Sequence, residues 1–348
     1  MPGAGGLAGF VCPPGPYAES PVPGGASPAR VAGVPPSDDF VTDDTDLIIV
    51  EGPVWFDGNL YVSEINNGPP FGPGFPGGGR SGGGGEPGSA GAAGTAGSGG
   101  DSGQPPPARI LRITEAGDVS IALEDVGTNG LAVSPDGQLV GCSHKTGSIS
   151  RFNLMGGAPV DIVSQYESVR FDSPNDLTFG VDGTLYFTDP DYQAPSPAPQ
   201  SASRAYRVPP GSGTAVALLD DRPRPNGITL SPDGKTLYVS ASDGVYAYPV
   251  MADGNIGEGA PFGQGTVRSS DGMGVDCAGN LYTTSGQTVT VLTPAGTELT
   301  RISVPDAQQV TNVAFGGPSH TTLYITAQGS GQRSGLFKLE SAIPGMPY

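Results

Sequence analysis

Six polar residues recur at one place in a repeated pattern, and their chemistry is that of a cation site. Asn129, Asn175, Asn226 and Asp271 each stand eight residues before a glycine: Gly137, Gly183, Gly234 and Gly279. Glu51 opens a shorter copy of the pattern and Asn312 a more degenerate one. Together they offer two carboxylates and several amide carbonyls, hard oxygen donors that suit Ca²⁺ or Mg²⁺ before zinc or copper. A competing reading stays open, because Asn-Gly and Asp-Gly favour turns and a polar residue here could simply cap a strand. That reading is weakest at Glu51, since no turn chemistry asks for Glu before Gly52-Pro53. Thiolate zinc sites and His-rich cages are excluded: the three cysteines form no C-x-x-C pair, and the only histidines are His144 and His320.

The elements that must carry these residues are legible in the same repeat. TNGLAVSPDGQLVGCS from Thr128, PNDLTFGVDGTLYFTD from Pro174, PNGITLSPDGKTLYVS from Pro225 and SDGMGVDCAGNLYTTS from Ser270 align without gaps. EGPVWFDGNLYVSE from Glu51 is a fifth copy and TNVAFGGPSHTTLYIT from Thr311 a sixth. Each reads as a strand, a tight turn and a second strand with alternating apolar residues. Two further strand-like stretches follow each time, such as ARILRIT and DVSIALE after the first. The opening residues from Asn129 to Asn312 are 46, 51, 45 and 41 positions apart. Four-stranded units at that spacing predict an all-β, six-bladed β-propeller around a central channel. Its innermost strands would all start at one mouth, gathering the six polar residues there. The stretch DDTDLIIVEG before and through Glu51 is expected to supply the strand that closes the ring.

Composition sets the boundaries. Residues 1–30 read as an irregular extension without a signal peptide, and 31–348 as the propeller, interrupted by a low-complexity insert at 67–107. That insert holds 17 Gly and 8 Pro in 41 residues, too little apolar surface to offset the entropy of ordering it. Its G-x-S-x-G match, Gly79 to Gly83, lacks the strand and helix that a nucleophile elbow needs. The insert would leave the propeller on the Glu51 side, either as a flap over the mouth or as a solvated loop. With 34 acidic against 16 basic residues, the net charge of −18 argues against nucleic acid as a partner. No apolar run approaches the length of a membrane span, so a monomer with no membrane partner is expected. Three lysines, an acidic balance and a Cys12 able to pair with Cys142 or Cys277 point to export, a periplasmic or extracellular location.

The motifs EGPVWFDGNLYVSEI, SPNDLTFGVDGTLYFTDPDY, RPNGITLSPDGKTLYVS, SSDGMGVDCAGNLY and TNVAFGG resemble the gluconolactonase, senescence-marker-protein and luciferin-regenerating-enzyme family, in the family's order. The resemblance covers about residues 48–340 without the insert. It implies a six-bladed propeller that hydrolyses a sugar or other small lactone with one divalent cation in the channel. By that likeness Glu51, Asn175, Asn226 and Asp271 match the metal-binding set, with Asn175 also acting on substrate and Asn129 beside it. Ca²⁺ is the first expectation, with Mg²⁺, Mn²⁺ and Zn²⁺ as alternatives. Some members place an Arg two residues before the Asn that matches Asn175; this chain has Ser173 there.

A cation so held would polarise a carbonyl and lower the pKa of a bound water. Asp271 could then serve as base for that water or attack the carbonyl itself. Asp189, in FTDPDY, and His144, in GCSHKTG, end second strands at the same mouth and join it as catalytic candidates. A turn role for Asp189 and a satisfied structural role for His144 compete with those readings. A phosphotriesterase or arylesterase on the same scaffold is one alternative function. A binding propeller with a structural cation is another, although aromatics at 7% and a single Trp offer few anchors for a partner.

Overall fold

A computed structural model describes residues 10–24, 26–36, 40, 46–68, 105–263 and 265–347. Within them every sequence repeat is a strand, turn and strand. The copy from Thr128 forms Thr128–Val133 and Leu139–Ser143, and that from Pro174 forms Leu177–Phe179 and Leu185–Asp189. Ile228–Leu230 with Thr236–Ala241 and Met273–Val275 with Leu281–Ser285 follow the same plan. Glycine recurs between them for a backbone reason. Gly137, Gly183, Gly234 and Gly279 have φ of 74°, 86°, 67° and 83°, the left-handed region that a Cβ disfavours.

Two more antiparallel strands complete each of these units, giving four separate four-stranded sheets. A fifth sheet has eight strands. One end of it is the meander from Leu47–Phe56 and Asn59–Asn66 through Ala108–Thr114 to Val119–Leu123. The other is built from Gln309–Gly316, Thr322–Ser330 and Gly335–Glu340. The two halves join where Ile48 pairs opposite Gly329. No α-helix occurs among the described residues, and the architecture is all-β and propeller-like.

Chain closure differs from the expectation. DDTDLIIVEG does not add a separate closing strand; Leu47 to Glu51 begins the first strand of its own sheet. The closing strand is Ala29–Arg30, paired with Gly335–Glu340. The last two residues of the irregular extension are therefore part of a sheet. Nothing in their composition marks them, because a two-residue strand is set by the edge it completes. The extension is also tied down by the Cys12–Cys277 disulfide, with Cα atoms 5.4 Å apart, whereas Cys142 is free and buried.

Apolar residues pack between neighbouring sheets. Tyr282, Val289, Phe315, Ile325 and Phe337 fill one such layer, and Ala132, Val140, Phe187 and Tyr206 another. Burying side chains between sheets leaves the first strands free to line a polar centre. Those strands touch in sequence around it. Gly130 N donates to Asn175 O (2.6 Å) and Ile228 N to Asp176 Oδ2 (3.2 Å), and Gly227 lies against Asp271 O. Gly272 N then donates to Thr311 O (2.7 Å), Thr311 Oγ1 to Val50 O (2.7 Å), and Gly52 lies against Asn129 O.

This close approach needs a glycine just after the opening position in four of the six copies: Gly52, Gly130, Gly227 and Gly272. A methyl on Gly227 would strike the Asp271 carbonyl oxygen and stand 2.9 Å from Gly272 Cα, both fixed backbone. Gly227→Ala is therefore expected to cost about 1–3 kcal/mol through overpacking. Thermal unfolding followed by circular dichroism reads this directly, and an unchanged midpoint would refute the crowding.

The insert leaves from Asn66 and returns by Pro107, where Asn66 N donates to Pro107 O (3.1 Å). Both ends sit on the side where the first strands begin. Residues 69–104, with the G-x-S-x-G match and the flap reading, lie outside the described residues.

Candidate functional site

The six predicted oxygen donors lie on or just before the first strands: Asn129 is second in Thr128–Val133, Asn175, Asn226 and Asp271 stand two residues before theirs, and Glu51 and Asn312 fall inside Leu47–Phe56 and Gln309–Gly316. Glu51, Asn129, Asn175 and Asn312 are buried, while Asn226 and Asp271 keep some contact with solvent. Glu51 Oε2 accepts from Gly52 N (2.8 Å) and from Asn312 Nδ2 (3.2 Å), so Asn312 serves here as a support for Glu51. Burial pushes the Glu51 carboxyl up to about 7, against the pull of those hydrogen bonds. Asp271 is pushed well above the usual carboxylate range by burial first and the charge of Glu51 second.

A third carboxylate escaped the sequence reading. Asp176 accepts from Leu177 N at Oδ1 (3.0 Å) and from Ile228 N at Oδ2 (3.2 Å). Burial and then the charge of Glu51 raise it to about 8. The repeat did contain a signal: Gly52, Gly130, Gly227 and Gly272 follow four of the other opening residues and Val313 the fifth, whereas Asp176 follows Asn175. An acid at a position that mostly takes glycine stands out even without a structure.

The polar atoms left over fit a cation. Asn129 Oδ1 and Asn226 Oδ1 are buried without a hydrogen-bond partner. Buried carbonyl oxygens normally find one, and a hard cation among carboxylates is a partner of the right kind. Among the described residues no three His, Cys, Asp or Glu side chains form a metal cluster on their own.

The remaining candidates are held differently. Asp189 is fully buried, with Oδ1 accepting from Ser173 N (2.8 Å) and Oδ2 from Asp172 N (3.0 Å). It braces the loop that leads into Asn175, and Ser173 Oγ donates in turn to Pro190 O (2.6 Å). His144 is fully buried, with Nε2 2.9 Å from Pro106 O and Nδ1 without a partner. A carbonyl can only accept, so the proton sits on Nε2. Burial lowers this histidine to about 4, which keeps it neutral in the working range.

A ring of small antiparallel sheets whose first strands bring carboxylates and amide oxygens to one mouth defines a propeller with a channel-mouth site. Within that class the chain belongs to the SMP-30/gluconolactonase/LRE-like family, whose sequence profile matches residues 106–329. The chain is 31% identical to the gluconolactonase of Zymomonas mobilis over 255 residues, 64% of this chain and 71% of that protein. A solved structure described as a gluconolactonase from Xanthomonas campestris superposes with a TM-score of 0.65 at 25% identity, over 94% of this chain and 98% of that one. The calcium-binding protein regucalcin of Agrobacterium tumefaciens shares the fold, with a TM-score of 0.63 at 19% identity over 88% and 94% of the two chains.

Proposed function

We propose that this protein is a lactone hydrolase working with one divalent cation, Ca²⁺ ahead of Mg²⁺, Mn²⁺ or Zn²⁺. The observation that carries the reading is the company of Glu51 and Asp271 with Asn226 Oδ1, a buried amide oxygen that lacks a partner, in a family with lactonase relatives. On this reading the eight-stranded sheet counts as two blades, which with the four separate sheets makes six. Glu51, Asn175, Asn226 and Asp271 would hold the cation, and when bound it would polarise the lactone carbonyl towards attack by water.

The protein's own groups supply the rest. Asp271, partly open to the channel and raised in basicity by its surroundings, takes the proton from the attacking water. Asn129 and Asn175 bind the substrate's ring hydroxyls. Asp189 keeps Asn175 in register through the 172–173 backbone. His144, neutral with an unpartnered Nδ1, would be the group that passes a proton on. The Cys12–Cys277 disulfide supports an exported protein.

The test is a pH-stat assay over γ- and δ-lactones on chelator-treated protein, then after adding back single cations. Hydrolysis that vanishes with chelator and returns with one cation is the expected result. Cation binding without hydrolysis of any lactone would overturn the activity, and turnover of phosphotriesters or aryl esters instead would reassign it.

A further inference from the structure

Resting on the lactonase reading above, we propose that Arg224 is a substrate-specificity residue. Its guanidinium, paired with Asp191 at the rim of the mouth, binds hydroxyls of a neutral, polyhydroxylated lactone. A guanidinium carries five N–H donors and no acceptor, so one carboxylate partner leaves it with hydrogens for a ligand. The pair as a whole has no net charge, and that sets what it recognises. Sugar hydroxyls accept from the remaining donors, whereas a substrate carboxylate would meet Asp191 and a chain of net charge −18.

Three observations place and orient this arginine. First, the side chain is held yet open. Arg224 Nε lies 2.7 Å from Asp191 Oδ1, and Nη2 donates to Asp191 Oδ2 (3.1 Å). The guanidinium carbon stands 5.3 Å from the centre of the Tyr192 ring. These contacts leave Nη1 for a ligand, and both members of the pair remain 38% exposed. Secondly, the backbone is set in advance. Pro223 O accepts from Ser242 Oγ (3.0 Å), and Asn226 N donates to Ser240 O (2.8 Å). Between those anchors Arg224 adopts a φ of +48°, an uncommon conformation for a residue with a side chain and one that clusters at functional sites. Thirdly, the partner loop is pinned as well. Ser173 Oγ donates to Pro190 O (2.6 Å) and accepts from Gln193 N (3.2 Å), which fixes Asp191 and Tyr192 between them.

Asp191 and Tyr192 come from the loop after Leu185–Asp189, tied to Ser173 two residues before Asn175. Arg224 stands two residues before Asn226 in the next unit, within about 7 Å along the chain. The ion pair therefore spans two neighbouring sheets beside two of the proposed cation donors, where hydroxyls of a lactone bound there would come within reach. Arg222, in the same DDRPRPN stretch, shows the contrast. Its Nε donates to Tyr248 Oη (3.0 Å) on the third strand of its own sheet, Gly244–Pro249, and its guanidinium covers the Tyr246 ring. Of the two arginines, Arg224 is the one turned towards the neighbouring sheet.

The experiment measures kcat and KM at saturating cation in full-length wild type, Arg224→Gln and Asp191→Asn, with melting temperatures as the folding control. Glucono-δ-lactone is the neutral, polyhydroxylated substrate, δ-valerolactone the same ring without hydroxyls, and glucaro-1,4-lactone the one with a free carboxylate. A lactone that is not turned over is scored by its inhibition constant. Arg224→Gln is expected to raise KM for gluconolactone about tenfold with kcat within about twofold, the weight of one charge-assisted hydrogen bond, and to change that for valerolactone much less. Asp191→Asn unmasks the guanidinium and is expected to raise kcat/KM for glucarolactone, relative to gluconolactone, by about tenfold. A merely structural Arg224 would shift every lactone alike, and that result overturns the proposal. An unchanged charged-to-neutral ratio in Asp191→Asn, or a wild type that prefers glucarolactone, overturns the neutral substrate class while sparing the lactonase reading. Wild type that binds cation and hydrolyses no lactone overturns that reading and this one together.

Discussion

Asp271→Asn is expected to lower kcat for lactone hydrolysis by about 10²–10⁴-fold, the usual weight of a positioned acid or base. The substitution keeps the shape and one oxygen donor and removes the basic group. Asp271 has the environment of a base: burial and the charge of Glu51 raise its proton affinity, yet it keeps an opening to the channel. The rate should be measured at saturating cation, because Asp271 also belongs to the proposed donor set and its loss weakens binding. A kcat within twofold of wild type under those conditions would remove Asp271 from the chemistry and leave it as a ligand alone.

The second large effect is on stability. Chelated protein should melt several degrees higher at pH 5 than at pH 8, and added cation should abolish most of the difference. The sign follows from the way burial moves the two carboxyl groups. Glu51 moves from 4.5 to about 7 and Asp176 from 3.8 to about 8, both because burial disfavours the charged form. A folded-state pKa raised in this way gives stability that is complete below about pH 4 and is lost as the pH climbs towards 8. A tenfold change in proton affinity corresponds to about 1.4 kcal/mol, so the combined loss is on the order of a few kcal/mol. A cation beside the carboxylates would favour their ionised forms and reverse the trend, so its affinity should rise over the same window. Differential scanning calorimetry at the two pH values, with and without cation, decides it. A melting temperature independent of pH in the chelated protein would mean that these carboxylates are already relieved by something else.

Much of the site was legible because a propeller repeats. A polar residue eight positions before a left-handed glycine in four repeats, with Glu51 and Asn312 aligned to them, was enough to predict that Glu51, Asn129, Asn175, Asn226, Asp271 and Asn312 share a mouth. Hydrogen bonds run from one first strand to the next near these residues. Asp176 was missed because it stands one residue beyond the opening position, where four of the other copies carry glycine.

The division has a physical cause. Strand, turn and strand are local: apolar alternation and a glycine at positive φ specify them within about sixteen residues, whatever the rest of the chain does. The sequence therefore determined by itself the repeat unit, the all-β class and the polar ring. Which groups meet across units depends on closing the ring, and only the tertiary structure decided that. It gave the closing strand to Ala29–Arg30, chose Cys277 as the partner of Cys12, and turned Asp189 onto the 172–173 backbone. It also set Glu51 near Asp176 and Asp271, residues 125 and 220 positions away in the chain. Contacts over such separations leave no local signature, because burial and like-charge repulsion act through space.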